Sequence, residues 1–160
     1  MNLGHYSLEA TKDFLEYNFY SSGPKGSIKK IVRFTRVTAS GFAFYNLGFG
    51  DWDERNDAID DFVISNNQDA DIVLATVAAS VIDFSDHYPD VFIYAEGSTT
   101  SRTRRYQMGI NKFRDQIELL FEIFGFIENE GFVPFEPSKN YKAFVVKRKL
   151  SIFTRKRKEA

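Results

Sequence analysis

Between residues 70 and 85, apolar side chains recur at helical spacing on almost every side: Ile72, Val73, Leu74, Val77, Ala78, Val81, Ile82 and Phe84. A surface helix shows one apolar stripe, whereas a helix that is apolar around most of its circumference is buried. This segment constrains the chain more than any other, because the remaining residues have to wall in a core helix. Asn67 or Asp69 is placed to cap its start, and Pro89 follows its end.

The walls read mainly as strands. Residues 17–22 and 27–37 are β-rich runs joined by Gly23-Pro24-Lys25-Gly26, which is strong turn chemistry. Gly41 opens a third run, 42–47, that is apolar on both faces and so suits an inner position. After an acidic loop over 51–57, residues 58–64 read as a fourth strand, closed by Ser65-Asn66-Asn67. Residues 91–95 form a short apolar strand. A second helix is expected from Thr100 to Phe124, with Ile110, Phe113, Ile117, Leu120, Phe121 and Phe124 at helical spacing and Gly125 as its terminator. Phe132 to Phe135, a turn through Pro137 to Asn140 and a strand from Tyr141 to Arg148 complete the plan. The expected class is α+β, a bent antiparallel sheet of four to six strands packed on two main helices. Residues 1–149 are expected to form a single domain and 150–160 a basic tail. The order of elements resembles single-strand-binding folds of the PUR-alpha or Whirly kind, an analogy of order alone.

A chain of 160 residues buries a core without covalent staples. With 17 Phe and 8 Tyr, that core is read as phenylalanine-rich, and a base-stacking surface is the sharper alternative. The absence of cysteine removes disulfides, thiolate nucleophiles and cysteine metal sites together. The first residues lack a basic stretch followed by an apolar run, and no apolar segment approaches the ~20 residues that span a bilayer. The expectation is a cytoplasmic protein without a membrane partner or cofactor.

Net charge is −1, yet the charges segregate. Between residues 51 and 90 every charge but Arg55 is negative, and between 142 and 158 every charge is positive. Such polarity suits a polyanion partner, pairing between the two halves, or a solvated tail.

The most informative stretch for chemistry is Glu96-Gly97-Ser98-Thr99-Thr100-Ser101-Arg102-Thr103-Arg104-Arg105-Tyr106. A strand ends in glycine, hydroxyl side chains follow, and a helix begins with arginines in its first turns. The first helical N–H groups lack intrahelical partners, and the helix dipole favours an anion there. Guanidinium adds a planar fork for phosphate or carboxylate. Cations are the wrong sign for a helix start, so something negative has to offset them. A ligand phosphate is one source, bound by Gly97, Ser98, Thr99, Arg102, Arg104 and Tyr106. Internal pairing with Asp60, Asp61 or Glu96 is the other. The Walker pattern is absent. Asp60 and Asp61 are adjacent on a strand and point to opposite faces, so they do not clamp a metal as a pair, and no metal site is assigned. His87, before Tyr88-Pro89, sits well at a helix end and needs no catalytic role.

The runs Ser65-Asn66-Asn67-x-Asp69, Asp83-Phe84, Tyr88-Pro89-Asp90, Gly97-Ser98-Thr99-x-x-Arg102-Thr103-Arg104-x-Tyr106 and Tyr141-x-Ala143-Phe144-Val145-Val146-Lys147 resemble a bacterial domain-of-unknown-function family of stand-alone proteins about this long. The resemblance implies no reaction, substrate or cofactor. Arg105 stands where the family pattern leads one to expect an aliphatic residue, and it is left out of the site.

Three functions are weighed. The first is a non-enzymatic module binding phosphate-bearing ligands, RNA or single-stranded DNA. The second is a protein-interaction component, a homodimer or one half of a toxin–antitoxin or phage-defence pair. The third is a metal-dependent phosphoesterase or nuclease using Asp60 or Asp61 with the arginines.

Overall fold

Three long strands and one core helix organise the molecule. The computed structural model describes residues 4–60 and 66–150. Its elements are β1 (Glu9–Ala10), β2 (Glu16–Gly23), β3 (Gly26–Ala39), β4 (Phe42–Asp53), β5 (Ala58–Asp60), α1 (Ala70–His87), β6 (Phe92–Ala95), α2 (Thr100–Leu120), β7 (Phe121–Ile127), β8 (Gly131–Pro134) and β9 (Ala143–Arg148). β2 and β3 turn through Pro24-Lys25 with Gly23 opposite Gly26. β3 and β4 turn through Ser40 and Gly41, at φ 53° and 77°. Two left-handed residues in succession give the tight turn that matches strand twist.

The class is α+β, with a sheet larger than expected. Among the described residues nine strands pair, in the order β1-β2-β3-β4-β6-β9-β7-β8, with β5 beside β4. The sheet is mixed: β4 and β6 run parallel, with Tyr45 opposite Ile93 and Leu47 opposite Ala95. The parallel pair follows from α1, which carries the chain back across the sheet before β6 begins. Two strands lengthen the sheet where a helix was expected or where short edges leave little pattern. α2 stops at Leu120, and residues 121–127 form β7, with Phe121 and Ile123 buried in alternation. Gly125 is therefore a strand residue and not a helix terminator. A Cβ there would lie 2.2 Å from the Tyr141 ring, so the position serves close packing.

Both helices cover one face of the sheet, since Leu47, Ile93 and Phe144 share a lining with α1 and α2 side chains. One buried cluster joins Tyr17, Phe19, Val32, Phe34, Leu47 and Ile93 to Val77 and Phe84 of α1. The phenylalanine-rich core expected from composition is present here: Phe34 and Phe84 stack at 4.0 Å. A second cluster holds Ile123, Phe135, Tyr141 and Phe144, and Val146 packs against both. Among the described residues no helix is long and apolar enough to cross a membrane.

Candidate functional site

The start of α2 is fixed by a small hydroxyl network. Thr99 caps the helix in extended conformation, and its Oγ1 accepts from the Arg102 N–H at 3.2 Å. Thr103 Oγ1 accepts from the Gly97 N–H at 3.0 Å and donates to the Thr99 carbonyl at 3.2 Å. Gly97 lies so close to the helix that a Cβ would fall 2.3 Å from Thr103 N. Much of the glycine–hydroxyl motif is thus engaged in setting the angle between β6 and α2. Gln107 extends the tie: its Oε1 accepts from the Tyr141 N–H at 3.3 Å, and its Nε2 donates to the Lys139 carbonyl.

That angle points one side of α2 at α1 and the sheet. Arg102, Arg105, Gly109 and Lys112, three or four residues apart, line a cleft of about 500 Å³ together with Tyr106. The opposite walls are Lys30, Phe49 and Asp51 from β3 and β4, and Asn67, Asp69 and Asp71 at the start of α1. Lys30, 6% exposed, is held against Asp51 at 2.5 Å, with the Phe49 ring 5.8 Å from its Nζ. Lys112 pairs with Asp71.

Asn67 and Asp69 form a buried clip. Asn67 Oδ1 accepts from the Lys25 N–H at 2.7 Å, and its Nδ2 donates to the Gly26 carbonyl at 2.9 Å and to Ser21 Oγ at 3.1 Å. Asp69 accepts from Tyr6 at 2.7 Å and from Ser21 at 2.5 Å. Burial raises the Tyr6 phenol, and the Asp69 carboxylate adds to that rise. Nearby, the acidic loop is largely self-contained. Asp53 accepts from Asn56 Nδ2 at 2.6 Å and from the Arg55 N–H at 3.0 Å, and these bonds lower its carboxyl, the Asn56 side chain contributing most.

The residues singled out in the sequence divide between these surroundings. Arg102 and Tyr106 are half-buried and line the cleft. Arg104 is exposed and faces elsewhere, while Arg105, set aside on pattern, takes its place on the cleft wall. Neither Arg104 nor Arg105 makes an ion pair among the described residues. Ser98 and Thr99 are exposed before α2. Asp60 ends β5, half-buried and opposite Asp51 in register; Asp61 lies outside the described residues. Among the described residues no group of three His, Cys, Asp or Glu could hold a metal ion. His87 stacks on Phe14 at 3.5 Å, with its Nδ1 2.9 Å from the Asp83 carbonyl.

The basic strand 27–37 splits between faces. Lys30 reaches the cleft, whereas Arg33 pairs with Glu16 at 2.6 Å. Lys112 and Gly109 escaped the sequence analysis. The signal that could have found them is the spacing 102, 105, 109, 112 along one helix side.

No curated protein and no solved structure matches the chain, so the PUR-alpha and Whirly resemblance stays an analogy of element order. A family model matches residues 2–149. It spans the cleft, the clip and the capped start of α2, and by it the chain belongs to DUF6934, a family of unknown function.

Proposed function

We propose that this protein is a binding module for phosphate-bearing ligands, and that the cleft between α1, α2 and the β3–β4 face receives the phosphate. The observation that carries this reading is Arg105: an exposed guanidinium on the cleft wall, beside Arg102, with no carboxylate partner among the described residues. A guanidinium presents a planar fork that suits a phosphate, and a bound anion would compensate Arg105. Lys30 and Lys112 line the same walls, each held by a carboxylate, Asp51 and Asp71. Ser98 and Thr99 lie exposed just ahead of the same helix.

Single-stranded RNA or DNA is the polyanion on which the reading is tested. Short oligonucleotides should bind with an affinity that falls steeply as salt rises, and Arg105→Ala or Arg102→Ala should weaken binding and reduce the salt slope by about one. Equal retention of both variants and the parent protein across a salt series would remove the proposal.

A protein-interaction role is favoured by a separate observation. The sheet face opposite the helices carries Phe42 and Phe132, 52% and 48% exposed, next to Phe92 and Tyr94. Exposed rings grouped on one face mark contact surfaces. Co-purification of a partner lost on Phe42→Ser with Phe132→Ser would favour this second reading. Retention of the partner by that double variant would count against it.

A further inference from the structure

A second cavity lies beside the cleft, and its chemistry differs. About 120 Å³ lies between α1, α2 and the sheet, lined by side chains such as Val77, Ala78, Val81, Ile110, Phe113 and Ile93. Apart from the Tyr106 phenol, every lining side chain is apolar. The two spaces share Leu74, Tyr106 and Gly109. Gly109 faces Leu74 so closely that a Cβ would lie 3.2 Å from its Cδ1. The partition is therefore one leucine side chain against a glycine, with a single tyrosine ring alongside.

We infer that the cleft also takes a small amphiphile: an organic phosphate whose apolar group, about the size of one ring or a short branched chain, sits in the cavity between α1 and α2. The phosphate end rests on the function proposed above; the apolar end rests on the cavity alone. Size supports it, because a cavity of roughly 150 Å³ walled by aliphatic and aromatic side chains stays dry and takes up benzene or xenon. Polarity narrows it. A nucleobase carries donors and acceptors on its edges, and this lining would leave them without partners. Position completes it, since a molecule with its charge beside Arg105 and Tyr106 has the apolar space directly behind that tyrosine.

The test compares inorganic phosphate, phenyl phosphate and benzene on the full chain, by calorimetry and ligand-observed NMR. Phenyl phosphate is expected to bind roughly ten- to thirty-fold tighter than phosphate. Ala78→Leu, which fills the cavity without touching the cleft, should abolish that gain and benzene uptake while phosphate binding persists. Should this variant fail to fold, Ala78→Val provides the same comparison with less added bulk. Phenyl phosphate binding no tighter than phosphate, or a gain that survives both substitutions, would overturn the inference and leave a packing void. Benzene uptake with no binding of either phosphate would instead sink the phosphate reading of the cleft and, with it, the amphiphile.

Discussion

Single residues show how little slack the site has. Gly97 abuts the peptide group that joins Arg102 to Thr103, with a notional Cβ 2.3 Å from Thr103 N and 2.6 Å from the Arg102 carbonyl carbon. Neither atom belongs to a flexible side-chain end that could swing away. Gly97→Ala is expected to cost about 2–3 kcal/mol in urea denaturation and to shift α2 enough to weaken any ligand of the cleft. An unchanged midpoint would contradict the packing described. Tyr17 gives a pH-dependent counterpart. It is buried, and its hydroxyl donates to Asp83 at 2.6 Å. Burial, reinforced by that carboxylate, pushes the phenol far above its ordinary range. A raised folded value means the contribution to stability is complete below about pH 10, where the unfolded phenol begins to ionise, and is lost as pH climbs towards the folded value. Thermal melts should therefore fall between roughly pH 9 and 11, and Tyr17→Phe should flatten that fall. The same variant costs about 1 kcal/mol near neutrality through the lost hydrogen bond.

Among elements, the joint between the β2–β3 hairpin and α1 is the most specific. Asn67 satisfies Lys25 N–H, the Gly26 carbonyl and Ser21 with one amide, and Gly23 has no room for a Cβ because the Asn67 carbonyl would lie 2.0 Å away. Removing the amide leaves polar groups buried without partners, which is dearer than losing the bonds alone. Asn67→Ala is expected to destabilise the fold by about 2 kcal/mol, with the Lys25 amide exchanging faster than its neighbours in β3. A Lys25 amide as protected as before would show that the clip is dispensable. α2 carries the functional geometry. Its backbone leaves helical values at Phe113, φ −106° and ψ 16°, one turn beyond the Gly109–Leu74 contact, and residues before that point line the cleft.

At the scale of the molecule, β6 and β9 lie in the middle of the sheet and connect two packed clusters. β6 pairs with β4 and β9, β9 pairs with β6 and β7, and Val146 packs against both clusters. Opening either strand exposes both clusters, so such an opening approaches global unfolding. Amides of residues 93–95 and 144–146 are expected to exchange last in native-state hydrogen exchange, and those of β1 and β8 first. Early exchange in β6 would mean that the two clusters open independently. The charge segregation is also resolved at this scale. Asp51 meets Lys30 and Asp71 meets Lys112, so part of the acidic stretch offsets cations of the cleft.

The sequence alone determined what local periodicity encodes: α1 as a core helix, the two hairpins of β2, β3 and β4, the aromatic core, and arginines at the start of a helix below a glycine. Spacing reports which face of a segment is buried, and turn residues report where it stops, without reference to the rest of the chain. Only the tertiary structure decided that residues 121–127 form a strand, because Phe121, Ile123 and Phe124 suit either period and pairing with β9 selects one. Contacts distant in sequence likewise set the parallel register of β4 and β6, the use of Asn67 as a clip, and the presence of Arg105 and not Arg104 on the cleft wall. An arginine's role depends on the angle at which its helix lies on the sheet, and here Gly97, Thr99 and Thr103 set that angle at the start of α2.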